Sequence, residues 1–382
     1  MKISAVNTYL ASAGYRNLVL VKVTTDSGLV GWGEATVEGK EVTVAAAVGE
    51  LERYLVGKNP LNIELHWQRM YREAFWVGGP ILLSAISGVE HALWDIAGKA
   101  MGQPAYQLLG GAMRDRIRTY ANGWFFGAKT PEDFARCAAA TVEKGFRALK
   151  WDPFGTAGLF PDRDQMDEAV ECVRAVRQAV GPKIDLLIEV HGRLSVAHAV
   201  QMAHELAPFK PYFYEEPVPP ENVDAMKKVS DSIPIPVATG ERLFTNWGYK
   251  DLLEKQAAVI IQPDPCHDGG ILETKKIAAM AETYYVGVAP HNPNGPVGTA
   301  VCVQIDANIP NFLIQEMNIA DYDSWVAKLL ARPFEIVNGY IEVPTAPGLG
   351  IEVNEEELAK HPYEARLFSL SDPNSMLREE KQ

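Results

Sequence analysis

Cysteine is scarce in this chain. The four that occur, Cys137, Cys172, Cys266 and Cys302, are scattered, form no CxxC pair and mark out no regular framework. That pattern excludes a disulfide-built scaffold and fits a reducing compartment, where the thiols serve as small buried hydrophobes. Positive charge is also short: 36 Lys and Arg face 49 Asp and Glu, a net −13. Such a balance disfavours nucleic acid or an anionic membrane surface as the main partner. An anionic small substrate stays open, because bound metal can reverse the local field. No apolar run approaches the length of about 18 residues that a membrane-spanning helix needs. The amino terminus, MKISAVNTYL, reads as a strand and lacks the basic and apolar blocks of a signal peptide, so a cytoplasmic protein is expected. Low-complexity segments and short-period repeats are missing too. What remains is a chain of 382 residues, 47% hydrophobic, able to bury a large core and to form two domains, one of them barrel-sized.

Residues 1–114 open with two strand-like runs, 2–10 and 17–25. The turn signal Thr25-Asp26-Ser27-Gly28 follows, then a third strand ending at Gly31-Trp32-Gly33-Glu34. Helical patterns come next, the clearest over 81–99, which makes this an α+β unit. From about 117 the pattern becomes strand, helix, strand, helix. Apolar β runs lie near 117–122, 146–150, 185–190, 211–215, 236–239, 258–262, 285–289 and 312–315. Amphipathic stretches such as 131–144, 163–180 and 194–206 separate most of them, as parallel strands require. Eight such runs predict an α/β barrel over 115–326. The last segment, 327–382, loses the rhythm, carries the turn Thr345-Ala346-Pro347-Gly348-Leu349-Gly350, and is expected to pack back on the first domain.

Polar residues cluster where the barrel runs end: Lys150 and Asp152, Glu189 and His191, Glu215, Glu241, Asp264, His291 and Glu316. Charged groups ending apolar strands are costly to desolvate unless they serve one polar site, and the carboxyl face is where such barrels place chemistry. Glu189, Glu215 and Glu241 are 26 residues apart and 26 again, one strand-to-strand step each. Three converging carboxylates repel unless a cation sits between them, and an all-oxygen set favours a hard divalent ion such as Mg2+. Alternation along a strand sends Glu189 and His191 inward together, and likewise Lys150 and Asp152, with Val190 and Trp151 pointing outward. Parity leaves open which of Glu215 and Glu216 faces the axis.

These residues resemble the enolase superfamily, in the branch around mandelate racemase and the acid-sugar dehydratases. The resemblance runs through Trp32-Gly33-Glu34, Ala92-Leu93-Trp94-Asp95-Ile96-Ala97-Gly98-Lys99, Leu108-Leu109-Gly110-Gly111, Glu215-Glu216-Pro217, Gly240-Glu241-Arg242, Gln262-Pro263-Asp264 with Gly269-Gly270, and His291. It implies an α/β fold of a particular kind: a modified TIM barrel, (β/α)7β, under an α+β capping domain, with Mg2+ on the ends of the third, fourth and fifth strands. Mn2+ is an expected substitute. It also implies removal of the proton α to a carboxylate, giving an enediolate that the metal stabilises. In that scheme His291 is the general base and Asp264 orients and charges its imidazole. His191, on the third strand, faces His291 on the seventh and is the acid for a leaving hydroxyl, or a substrate contact.

Lys150-Trp151-Asp152-Pro153-Phe154-Gly155 and Glu189-Val190-His191-Gly192-Arg193 are similar to gluconate-type and galactonate-type dehydratases, where loss of the 3-hydroxyl gives a 2-keto-3-deoxy sugar acid. The second strand departs from the Lys-x-Lys of racemases and cycloisomerases by carrying Asp152, and the first metal position carries Glu189 where many relatives have aspartate. Lys150 and Asp152 are expected either as a structural ion pair or as holders of substrate carboxylate and hydroxyls. Glu316 is expected beside the substrate carboxylate, protonated or sharing a proton. Arg193 and Arg242 follow catalytic positions and serve either to support the glutamates or to contact substrate. His267 reads as a surface loop residue. Tyr15, Arg16 and Phe75-Trp76 are expected lid contacts, on a short loop that Gly14 lets move. A C5 or C6 aldonate suits this polar mouth, in a homo-oligomer. Epimerisation, racemisation or cycloisomerisation through the same enediolate is the alternative, and a non-catalytic sugar-acid-binding barrel a further one.

Overall fold

The computed structural model describes residues 1–322 and 324–366; of the segment 327–382, residues 367–382 lie outside the described residues. The chain opens with an antiparallel sheet of β1 (Ile3–Ser12), β2 (Asn17–Thr25) and β3 (Val30–Glu34), in that order. Ser12 pairs with Asn17, so the connection is a tight turn closed by Ala13 N–H donating to Arg16 O at 2.7 Å. Against this sheet pack α1 (Glu41–Leu55) and α3 (Pro80–Met101), with α2 (Ile63–Tyr71) and the short α4 (Ala105–Leu108) packed on α3. Glycine sets the spacing: a Cβ on Gly33 would lie 2.0 Å from Gly88 O, and one on Gly31 2.0 Å from Ala92 O. Sheet and helix therefore touch backbone to backbone, which accounts for the glycines of the Gly-Trp-Gly-Glu run.

Parallel strands follow: β4 (Arg116–Asn122), β5 (Ala148–Trp151), β6 (Asp185–Glu189), β7 (Phe213–Glu215), β8 (Val237–Thr239), β9 (Ile260–Ile261), β10 (Gly287–Val288) and β11 (Gln315–Asn318). Between them run α5 (Pro131–Glu143), α6 (Arg163–Val180), α7 (Val196–Leu206), α8 (Val223–Ser232), α9 (Thr245–Glu254), α10 (Ile271–Glu282) and α11 (Pro296–Asn308). The sheet order is β10-β9-β8-β7-β6-β5-β4-β11. Val288 N–H donates to Asn311 O at 2.9 Å and Leu313 N–H to Val288 O at 2.8 Å, which closes the ring into a barrel. The last strand differs from the expected 312–315. Residues 311–313 pair with β10, and Gln315–Asn318 pair with β4. Gln-Glu-Met-Asn has weak strand propensity; it is extended because its polar side chains find partners, Gln315 on Pro290 O and Asn318 on Pro293 O. β12 (Tyr340–Glu342) runs antiparallel to the start of β4, and α12 (Glu355–Leu358) follows. Among the described residues no helix is long and apolar enough to cross a membrane.

Helix starts explain how the first unit meets the barrel. Thr130 with Asp133 and Asp162 with Gln165 form capping boxes on α5 and α6. α10 and α11 instead begin at Gly270 and Gly295, which have no side chain to cap with. Glu90 of α3 accepts from Ile271 N–H at 2.8 Å and Leu272 N–H at 3.0 Å. Glu34 of β3 accepts from Gly295 N–H at 2.7 Å and Gly298 N–H at 2.8 Å. Two carboxylates of the first unit thus cap two barrel helices, where the helix dipole favours negative charge. Asp95 makes the third tie: Oδ2 accepts from Trp32 N–H at 3.0 Å and Lys99 Nζ at 2.6 Å, and Oδ1 from Leu349 N–H at 2.9 Å.

Two stability predictions follow from buried carboxylates in opposite situations. Asp95→Ala strands two backbone N–H groups and an ammonium, and should cost about 3–5 kcal/mol in urea unfolding. Asp306 of α11 is buried with neither carboxyl oxygen partnered, and burial pushes its pKa well above the aspartate value against the pull of Arg114. A raised folded pKa means that its contribution is intact below the unfolded pKa and is lost as pH rises toward the folded one. Asp306→Asn should therefore stabilise the fold, by a margin that is larger at about pH 8 than at about pH 5; equal margins would refute the assignment.

Candidate active site

Glu189 ends β6 and Glu215 ends β7, in register as parallel neighbours, and Glu241 follows β8 after Gly240. One carboxylate oxygen from each lies within 4.8 Å of the others. Glu189 and Glu215 are buried, and the Oε2 atom of each has no hydrogen-bond partner. Orphaned oxygens on converging carboxylates are what a hard divalent cation would satisfy, and no nitrogen or sulfur donor competes in the trio. The residues fit such an ion. Burial and the neighbouring Glu189 charge drive the pKa of the Glu215 carboxyl well above the ordinary glutamate value.

Lys150, on β5, is the fixed counter-charge. Its Nζ lies 2.7 Å from Glu215, 3.2 Å from Glu316 and 3.5 Å from Glu189, all buried. Burial lowers its pKa, but Glu215 and Glu316 outweigh that and hold it well above the usual lysine value. Lys150 and Asp152 thus have separate partners, which answers the expected ion pair in the negative. The same lysine decides Glu316. Oε1 accepts from Asn122 Nδ2 at 2.6 Å and Oε2 from Asn292 N–H at 2.8 Å. Burial raises its pKa, yet Lys150 and His291 bring the net shift below the ordinary glutamate value, a direction opposite to the expected protonated or proton-sharing state.

Two imidazoles face this cluster, each tied through Nδ1 to a carboxylate. His291 Nδ1 lies 2.8 Å from Asp264 Oδ2, and its Nε2 3.1 Å from Glu241 Oε2. His191 Nδ1 lies 2.6 Å from Asp152 Oδ2. Burial lowers both pKa values, but the facing carboxylates prevail: Glu241 and Asp264 hold His291 well up, and Glu189 and Asp152 raise His191 to about 9. The route by which His191 arrives differs from simple alternation. β6 stops at Glu189, and His191 adopts φ 53, in the left-handed region, with its N–H on Glu189 Oε1 at 2.6 Å. Trp151 and Val190 do point outward, into the layer between strands and helices.

Arg193 bonds Asp152 and Gly155 O; Arg242 bonds Glu216 and comes within 3.9 Å of Glu241. Support of carboxylates is therefore what the structure gives both arginines. Glu216 turns to Arg242 and Thr239, leaving Glu215 to face Lys150. His267 is not a surface residue: it is 9% exposed, bonded to Ser84 Oγ at 2.8 Å, with Nε2 3.4 Å from Asp264 Oδ2. Arg16 is buried too, on Asp321 at 2.6 Å and Asn294 O at 3.0 Å. Tyr15 bonds Asn318 and packs on Phe126 at 5.0 Å, beside the barrel mouth. Trp76 stays out on the surface, 79% exposed, its ring 5.2 Å from Phe75. Sequence reasoning missed three asparagines. Asn294 Nδ2 holds Asp264 at 3.0 Å, while Asn122 and Asn292 hold Glu316. The run His291-Asn292-Pro293-Asn294-Gly295 was the available signal, polar amides packed beside the imidazole.

The chain matches two family models: the mandelate racemase / muconate lactonizing enzyme amino-terminal domain over residues 2–110 and the enolase carboxyl-terminal domain-like model over 133–357. It belongs to the mandelate racemase/muconate lactonizing enzyme family. This member of the family is 40% identical to the D-galactonate dehydratase of Pectobacterium atrosepticum over 361 residues, 93% of each chain. It is 40% identical to that of Ralstonia pickettii over 370 residues, 96% of this chain and 95% of the other. Its structure superposes on the crystal structure of a Mesorhizobium loti protein with a TM-score of 0.92 at 38% identity, covering 95% of this chain and 99% of that one. The enolase-superfamily fold expected from the sequence, an α/β barrel with a capping sheet and helices, is the one found.

A binding prediction follows for this family member. A divalent cation at about 100 times its Kd should stabilise the folded protein by about 2.7 kcal/mol in thermal unfolding. Glu189→Gln, which removes one ligand charge, should abolish the shift; an unchanged shift would place the cation elsewhere.

Proposed function

We propose that the protein is a sugar-acid dehydratase that takes the proton from C2 of an aldonate and expels the 3-hydroxyl as water, leaving a 2-keto-3-deoxy acid. The observation that carries this is the pair of carboxylate-tethered imidazoles on opposite sides of the barrel. His191 follows β6 and His291 follows β10, the third and seventh of eight strands. The D-galactonate dehydratases similar to this chain support the same reading.

Glu189, Glu215 and Glu241 would hold Mg2+, or Mn2+ with the same taste for oxygen, which would supply positive charge beside the substrate carboxylate and offset the Glu241 charge that raises the pKa of His291. His291 Nε2 accepts the C2 proton while Asp264 holds Nδ1–H and steadies the resulting imidazolium. The electron pair enters the carboxylate as an enediolate, with Lys150 beside it as a fixed ammonium. Collapse of the enediolate breaks the C3–O bond, His191 protonates the departing oxygen, and the enol so formed tautomerises to the ketone. Glu316, held by Asn122 and Asn292, keeps Lys150 in place. Residues 1–114 with 327–366 serve as the cap and 115–326 as the catalytic barrel, with Tyr15 at the cap's edge. The polar mouth suits a C5 or C6 aldonate, and we place the enzyme in the cytoplasm as a homo-oligomer. Four cysteines without disulfide partners accord with that compartment.

The same opposed histidines could serve two-base epimerisation, and one experiment separates the two. Purified protein with Mg2+ is screened against mono- and diacid sugars, trapping α-keto acids as semicarbazones. A keto acid from one or two aldonates is expected, and His291→Asn should lower kcat/KM by about a thousandfold or more. Solvent deuterium entering C2 with no keto acid would overturn dehydration in favour of epimerisation.

A further inference from the structure

We infer that Asp152 and Arg193 form a positioning pair for His191, fixing the imidazole for the water-loss half of the reaction, and are not substrate contacts; this rests on the dehydratase reading above. Three observations carry it. The first is where the acceptor atoms of Asp152 point. Oδ1 takes Phe154 N–H at 2.8 Å, and Oδ2 takes both His191 Nδ1, at 2.6 Å, and Arg193 Nη2. Both oxygens are thus engaged by donors of the protein.

The second is exposure. The side chain of His191 is 34% exposed, against 9% for Asp152 and 14% for Arg193. A substrate entering the mouth meets the imidazole, and the pair stands behind it. The third is the backbone. His191 at φ 53 and Gly192 at φ 65 reverse the chain immediately after Glu189, which returns Arg193 to Asp152 and to Gly155 O on the loop after β5. A left-handed conformation at a non-glycine residue costs free energy and persists only where surroundings over-determine it. The surroundings are the His191 N–H bond to Glu189, the Gly192 N–H bond to Glu216 O at 2.7 Å, and the Asp152 bond.

The consequence is a defined tautomer. With Nδ1–H donated to Asp152, the nitrogen left for the substrate is Nε2. After Nε2 gives its proton to the leaving oxygen, the Nδ1–H tautomer is the one that remains. Loss of the carboxylate lets the ring turn or the proton sit on the wrong nitrogen. C2 deprotonation is spared, since it uses His291 and Asp264 on the far side of the barrel.

The test is Asp152→Asn, with Arg193→Gln as the second variant should the first fold poorly. Each is assayed with Mg2+ on the aldonate that the wild type dehydrates, in D2O, following keto acid formed and deuterium at C2 of recovered substrate. Expected is a kcat for dehydration lower by about a hundredfold or more, KM within about threefold, and C2 exchange that continues and outruns water loss. KM raised by about tenfold with kcat kept would make the pair a substrate contact and overturn the inference. Exchange and dehydration falling together would also overturn it, because the pair would then support the whole site. A wild type that dehydrates no aldonate overturns the dehydratase reading itself, and the inference with it.

Discussion

Too many carboxylates share one buried end of this barrel. Glu189, Glu215 and Glu316 crowd about a single lysine, Glu241 stands beside His291, and Asp152 and Asp264 stand behind the two imidazoles. Burial penalises each charge, and their mutual repulsion adds to the penalty. The structure answers by giving every acidic group a donor where it can. Lys150 serves three glutamates, Arg193 serves Asp152, Arg242 serves Glu216, and main-chain N–H groups serve Glu189, Glu316 and Asp264. What is left over is two oxygens, one on Glu189 and one on Glu215, with no hydrogen-bond partner. The site's chemistry is the residue of that balance, since each group that would act on substrate is also a group whose charge the others determine.

The first unit contributes to this balance from a distance. α3 carries Ser84, Ser87, Glu90 and His91, which reach the loop between β9 and α10 or the first turn of α10 itself. Ser84 binds His267, Ser87 accepts from Gly269 N–H, Glu90 caps α10, and His91 meets Pro265 O. That loop also carries Asp264, the partner of His291. Burial pushes His91 down to about 4, so it stays neutral at this junction and adds no charge near Asp264. The helix that most clearly declared itself in the sequence is thus the one packed on the loop that carries the carboxylate partner of His291. The glycines of β3 and α3 permit this by letting helix and sheet meet at backbone distance, with no side chain between them.

Much of the fold was legible because its signals are local. Three amino-terminal strands, the long α3, the helical stretches of α5 and α6 and seven of the eight barrel runs follow from periodicity and turn chemistry. The eighth strand was misplaced by three residues because Gln315–Asn318 is polar and extended only through its partners. At the site, the three glutamates and both histidines were found by their position at strand ends. The errors have a common cause. His267 was read as a surface residue, Glu316 as protonated or sharing a proton, and an ion pair of Lys150 with Asp152 was one of two readings left open, and in each case the group that decides comes from another strand or from α3.

The sequence by itself determined the barrel, the trio of carboxylates and the two facing imidazoles, because strand period and the 26-residue step place strand-end residues on one face whatever their contacts. Only the tertiary structure decided which charges neutralise which, how His191 leaves its strand, and which side chains stand exposed to a substrate. Those depend on distances of a few ångströms between elements far apart in the chain. Electrostatic interaction in a buried site falls or rises with such distances, and no pattern along the sequence encodes them.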